Sequence, residues 1–220
     1  MKKNKIIKSS KVLITIISLV SFYSNNAEAL NMENQENKTK IIISEKDKIP
    51  NLNLLKTSEG KDFDLNKAIK EKPTILIFYR GGWCPFCNAH FSKLQSIESK
   101  LLDIGFQIIA ISPDKIEKMK ESIQKHQMSY LLLSDSKMEV SKAFGLDFKV
   151  DDNTLGIYKT FGIDLNNSSG ESHNLLPVPS VFIIDTKGII KFKYSNPDYK
   201  TRLEPEIILK EAKLLLSESY

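Results

Sequence analysis

The chain has 220 residues, with 32 Lys and Arg against 27 Asp and Glu, a formal net charge of +5 and a hydrophobic fraction of 41 %. That composition excludes a chain disordered throughout, and two cysteines are too few for a disulfide-stapled mini-domain. With three histidines beside them, they are also too few for an array of zinc modules.

Residues 1–29 read as an export signal. Lys2, Lys3, Lys5, Lys8 and Lys11 form a basic start, Val12–Val20 is an apolar run, and Ala27-Glu28-Ala29 offers a small-x-small cleavage site. The run is about half the length needed to span a bilayer, so no stable membrane insertion is expected after cleavage. Without residues 1–29 the chain holds 27 basic and 26 acidic residues, a net charge of +1. The basic character belongs mainly to the signal, and nothing points to a nucleic-acid partner. Export to a periplasm or beyond the cell also removes the reducing conditions of the cytosol. A lone nearby cysteine pair is then a reactive or switchable pair rather than a set of staples.

Residues 30–45 are expected to be a flexible lead-in, polar at first, followed by one folded domain over 46–220. Pro73–Tyr79 is a nearly continuous apolar run, the pattern of a strand buried on both faces. Phe91, Leu94, Ile97, Leu101 and Leu102 recur at helical spacing up to Gly105. Gln107–Ser112 and Tyr130–Ser134 read as further strands, with a helix over Lys115–Gln127 and a short one over Lys137–Phe144. Residues 146–175 are long and partly polar, and read as an insertion. Val181–Asp185 and Ile189–Tyr194 flank a turn and form a hairpin, and a helix carrying Ile207, Ile208, Ala212, Leu215 and Leu216 closes the chain. Strands alternating with helices predict one α/β domain with a central sheet.

The chemistry is concentrated in Phe78-Tyr79-Arg80-Gly81-Gly82-Trp83-Cys84-Pro85-Phe86-Cys87, between the strongest strand and the strongest helix. This places Cys84 at a helix N-terminus, where free N–H groups and the helix dipole favour a thiolate. Pro85 suits the first helical turn. Cys87, one turn on and more shielded, is expected to resolve what Cys84 attacks. A structural disulfide would close too short a loop to stabilise much. Zinc would need ligands beyond Cys84, Cys87 and His90, and covalent haem would need His where Asn88 stands. No metal or other cofactor is therefore expected. His90 reads as a surface or packing residue, and Trp83 as core or as a shield for the nucleophile. The same cysteines also suit a non-catalytic module in which they act as a redox clip or metal half-site.

The segment Phe78–Cys87, with Leu94-Gln95 and Ala110–Asp114 after it, resembles the peroxiredoxin-like branch of the AhpC/TSA family in the thioredoxin superfamily. The resemblance continues through Tyr158, Phe161-Gly162-Ile163, Leu176–Pro179, Val181–Gly188, Asp198-Tyr199 and Arg202–Pro205. It implies a thioredoxin-like fold, a mixed central sheet flanked by helices, with the insertion before a strand headed by a cis-proline, Pro179. That proline would set the Val178 backbone beside Cys84. The resemblance also implies a thiol peroxidase acting on hydrogen peroxide or organic hydroperoxides, reduced by an external thiol such as a thioredoxin-like protein. A protein thiol:disulfide oxidoreductase, with a protein disulfide as substrate, is the alternative use of the pair. The site departs from the family pattern in one respect. Gly81 stands at the third position before Cys84, where peroxiredoxins carry a hydroxyl residue, which leaves Arg80 as the group able to stabilise the thiolate and the leaving oxygen.

Overall fold

A computed structural model describes residues 43–52, 54–126 and 129–217. The expected signal and residues 30–42 of the expected lead-in lie outside the described residues.

The elements run β1 (Leu55–Thr57), β2 (Asp62–Phe63), α1 (Leu65–Glu71), β3 (Thr74–Phe78), α2 (Pro85–Asp103), β4 (Gln107–Ser112), α3 (Ile116–His126), β5 (Leu131–Ser134) and α4 (Glu139–Ala143). They continue with β6 (Asp147–Lys149), α5 (Asp152–Thr160), α6 (Leu165–Ser169), β7 (Leu175–Pro177), β8 (Ser180–Ile184), β9 (Ile190–Ser195) and α7 (Pro205–Ser217). Seven strands form one sheet in the order β2-β1-β5-β4-β3-β8-β9. β3, β4 and β5 are mutually parallel, while β8 runs antiparallel to β3 and pairs with β9 as the expected hairpin.

Side-chain alternation along β3 explains why its sequence is apolar at every position. Ile75, Ile77 and Tyr79 enter one core, under α2 and α7, with Leu94, Ile208 and Ala212. Leu76 and Phe78 enter the other, with Leu65 and Ile69 of α1 and with Val140 and Phe144. Strand β8 divides in the same way, Val181 and Ile183 to the first core and Phe182 and Ile184 to the second. A strand buried on both faces leaves its ends as the places where chemistry can reach solvent. The C-terminal ends of β3, β4 and β5 lie side by side, tied by Tyr79 N–H to Ile111 O at 3.0 Å and Asp135 N–H to Ser112 O at 2.8 Å.

Residues 146–175 are not an irregular loop. β6 pairs antiparallel with β7, and the two helices between them start on aspartates, Asp151 and Asp164, whose side chains accept from the N–H groups of Thr154 and Asn167. Val150, Leu165 and Leu176 form a small core of their own, against which Trp83, Tyr158 and Ile163 pack. The polar Asn166–Gly170 stretch hides this order, because its apolar partners are scattered along the segment.

One expectation is corrected. There is no cis peptide bond among the described residues, so Val178–Pro179 is trans. The Val178 N–H donates to Leu146 O at 2.8 Å, and its carbonyl accepts from Ser180 Oγ at 2.9 Å. These bonds feed the chain straight into β8, whose first residue follows Pro179. A proline just before a strand costs no ladder hydrogen bond.

Candidate active site

Strand β3 ends at Phe78, and six residues later the chain reaches the N-cap of α2. The turn between them is built on Gly81 and Gly82. Gly81 has φ +145°, and a Cβ there would lie 2.4 Å from Trp83 Nε1 and 2.8 Å from Asp114 Oδ1. At Gly82 a Cβ would lie 1.6 Å from Ser122 Oγ of α3. The Gly82 N–H donates to Asp114 Oδ2 at 2.7 Å, and its carbonyl accepts from Asn88 Nδ2 at 2.9 Å. The glycine pair thus lets the turn press onto α3 and the end of β4. That close approach sets where α2 begins.

Cys84 is the N-cap of α2 and Pro85 its first residue, as the sequence implies. The Cys84 carbonyl accepts from the N–H groups of Cys87 and Asn88, both at 3.1 Å. Both cysteines are free thiols. Each is 1 % exposed, so the greater shielding expected for Cys87 does not appear as a difference in exposure. What separates them is electrostatic. The Cys87 thiol, hydrogen-bonded to the Cys84 sulfur, is the largest cause lowering the Cys84 pKa, aided by the Cys87 backbone N–H, Arg80 and Arg202 against burial. Together these bring Cys84 to about 6. Burial pushes Cys87 well up, and its hydrogen bond to Cys84 adds to the effect.

Two guanidinium groups attend the pair. Arg202, from the loop after β9, donates from Nη2 to Cys87 Sγ at 3.3 Å. Arg80 is 2 % exposed, hydrogen-bonds the Tyr158 hydroxyl, and lies over the Tyr199 ring at 3.9 Å. No ion pair to a carboxylate is formed by either arginine among the described residues.

Trp83 packs against both the main core and the core of the insertion, and its ring lies 5.7 Å from that of Tyr158. It is therefore core and a sequence neighbour of Cys84 at once. Pro179 lines the same small pocket as Cys87, His90 and Arg202, whereas Val178 is engaged with Leu146 and Ser180 as described above. His90 is buried, with Nε2 3.1 Å from Leu203 O. Its pKa falls to about 4, first through burial and then through Arg202, so the ring is neutral and packs as expected.

Sequence reasoning did not single out Arg202 or Asp114 as site residues. Asp114 is 1 % exposed, and burial raises its carboxyl to about 7. The adjacent glycines after β3 were the available signal for Asp114, since a backbone without Cβ atoms marks a close approach. Arg202 lies 115 positions from Cys87, and the sequence named it only within the Arg202–Pro205 stretch of the resemblance.

The model of the AhpC/TSA family matches residues 46–193. The chain belongs to the AhpC/TSA family. Among curated relatives, a chloroplastic peroxiredoxin Q of Triticum aestivum is 27 % identical over 142 residues, covering 64 % of this chain and 55 % of the relative. The chain thus spans little more than half the length of that relative. Among solved structures, the peroxidoxin BcpB of Mycobacterium tuberculosis aligns with a TM-score of 0.62 and 17 % identity, covering 79 % of this chain and 98 % of the other. Reduced Prx3 of Vibrio vulnificus, in complex with hydrogen peroxide, aligns with a TM-score of 0.63 and 18 % identity over 78 % and 99 % of the two chains. These structural likenesses are of fold, and the AhpC/TSA domain here has the mixed sheet and flanking helices of a thioredoxin-like fold.

Proposed function

We propose that this chain is an exported thiol-dependent peroxidase in which Cys84 attacks and Cys87 resolves. The observation that carries the reading is the state of Cys84: a thiol lowered to about 6, 1 % exposed, and one helical turn from a second free thiol. At neutral pH most of Cys84 is thiolate, the form that acts as a nucleophile. Its burial favours a small hydroperoxide over the bulky disulfide of a folded protein.

The Cys84 thiolate attacks the terminal oxygen of the hydroperoxide, the O–O bond breaks, and Cys84 becomes a sulfenic acid. The departing alkoxide or hydroxide takes a proton and leaves as alcohol or water. Arg80 and Arg202 supply positive charge where negative charge passes from sulfur to oxygen. Cys87 then gives its proton to the sulfenic hydroxyl, displaces it as water, and forms the Cys84–Cys87 disulfide. Two electrons from an external thiol donor, of the thioredoxin-like class, restore both thiols. Because Cys84 and Cys87 share the first turn of α2, the disulfide closes without unwinding a helix.

Titration of the reduced protein with hydrogen peroxide tests this. Two thiols lost per peroxide consumed, with no loss in Cys84→Ser, is the expected result. A protein that leaves peroxide unconsumed contradicts it.

The second reading is a protein thiol:disulfide oxidoreductase, favoured by the C-x-x-C arrangement at a helix start and by the exposed Phe86 inside it. A Cys87→Ser variant that captures extracellular proteins as mixed disulfides on Cys84 would support it. Export rests on residues 1–29, and the folded enzyme on 46–220. An N-terminus found near residue 30 in protein recovered from outside the cytoplasm is the expected outcome.

A further inference from the structure

Arg80 is a buried cation with no carboxylate paired to it among the described residues. Three aromatic rings surround its guanidinium carbon instead, at 3.9 Å from the Tyr199 centroid, 5.0 Å from Trp83 and 5.4 Å from Tyr158. All lie within the roughly 6 Å over which a ring face attracts a cation. Nη2 is taken by the Tyr158 hydroxyl, while Nε has no hydrogen-bond partner among the described residues. The rings come from separate parts of the chain: Trp83 beside Cys84, Tyr158 from α5 of the insertion, and Tyr199 from the loop after β9. Tyr199 also meets Phe86, the residue between Pro85 and Cys87, edge to face at 5.6 Å.

A carboxylate beside Arg80 would fix it as firmly, but would cancel its charge. Ring faces fix it and leave the charge whole. We propose that Tyr199 and Tyr158 are positioning residues that hold Arg80 beside the cysteine pair in place of a carboxylate, so that its undivided charge serves the Cys84 thiolate. The insertion thereby acquires a role, since α5 delivers one wall of the box. The loop after β9 acquires two, with Tyr199 on Arg80 and Arg202 on Cys87. This deepens the proposed function and rests on Cys84 being the nucleophile.

The test is the pH dependence of Cys84 alkylation in the full chain, located by mass spectrometry. It uses no peroxide, so a failure of peroxidase activity leaves it intact. The charged and titratable groups facing Cys84 are Arg80 from the turn after β3, Arg202 from the loop after β9, Tyr158 from α5 and Cys87 from its own helix. Tyr199→Phe keeps the ring and should leave the midpoint where it is. Tyr199→Leu should raise it by about half a pH unit to one unit, and Arg80→Met should raise it at least as far. The double variant Arg80→Met/Tyr199→Leu should go no further than Arg80→Met alone. Tyr158→Phe, which loses only the hydroxyl, should shift the midpoint in the same direction by less, and it decides the matter if Tyr199→Leu does not fold. An unmoved midpoint in Tyr199→Leu and Tyr158→Phe, or additive shifts in the double variant, overturns the proposal.

Discussion

Arg202 donates from Nη2 to the sulfur of Cys87 at 3.3 Å, joining the loop after β9 to the first turn of α2. The bond matters because Cys87 is the harder thiol to ionise. Burial raises its pKa, and Arg202 is the charged side chain that opposes the rise. In the proposed cycle Cys87 gives up its proton as it attacks the sulfenic acid, so a guanidinium at its sulfur lowers the barrier of the second step.

Arg202→Met should therefore slow disulfide closure by roughly tenfold or more, the rate equivalent of one charge-assisted hydrogen bond. The chain has a single tryptophan, Trp83, next to Cys84. Its fluorescence in stopped flow separates the two steps, and sulfenic acid should accumulate and be trapped by a dimedone-type reagent. Unchanged closure in Arg202→Met would remove this role.

Gly82→Ala should be among the most damaging single changes on the molecule. Its Cβ would fall 1.6 Å from Ser122 Oγ and 2.7 Å from Ser122 Cβ, so turning the hydroxyl away does not relieve the overlap. A loss of about 1–3 kcal/mol or more is expected from overpacking, together with displacement of the Cys84 turn. Gly82→Ala/Ser122→Gly should recover part of the lost stability in thermal melts. Equal melting of Gly82→Ala and the parent would show that the turn is not pressed onto α3.

Asp114 makes stability depend on pH with a defined sign. Its carboxyl titrates near 7 when folded, against an ordinary value of 3.8. Between those values the folded protein holds a proton that the unfolded chain has released. This contribution to stability falls as pH rises from about 4 to about 7, and is level above. Asp114→Asn keeps an oxygen for the Gly82 N–H and has no proton to lose. Denaturant melts across pH should show this decline removed in the variant, by up to about 4 kcal/mol. Parallel curves for the two proteins would contradict the buried, protonated state.

The two cysteines predict opposite failures. Cys84→Ser should lose peroxide consumption entirely. Cys87→Ser should react once and then stop as a sulfenic acid, open to over-oxidation by further peroxide. Whole-protein mass spectra after one and several equivalents of peroxide distinguish these outcomes. A Cys87→Ser protein that turns over like the parent would mean that Cys87 does not resolve.

The sheet was legible because its central strands are buried on both faces, and such strands announce themselves as unbroken apolar runs, Thr74–Phe78 above all. The start of α2 was legible from Cys84 and Pro85. Strands β1 and β2 escaped because they are three and two residues long and alternate too briefly to form a pattern. The order inside the insertion escaped for a related reason. Val150, Leu165 and Leu176 meet only once the chain has folded. Arg80 and Trp83 were visible beside the cysteines, but their partners Tyr158 and Tyr199 lie more than seventy positions along the chain. Spacing rules act within an element, and this site is assembled between elements. The bonds of Val178 to Leu146 and Ser180 are likewise made between elements and are not displayed by the local sequence.

The most direct test of the account is the second-order rate at which hydrogen peroxide oxidises the reduced full-length domain, followed by Trp83 fluorescence at neutral pH. A rate orders of magnitude above that of free cysteine is expected, abolished in Cys84→Ser and falling as pH drops through about 6, where the Cys84 thiolate is protonated. A rate equal to that of free cysteine, or one unaffected by Cys84→Ser, would contradict it.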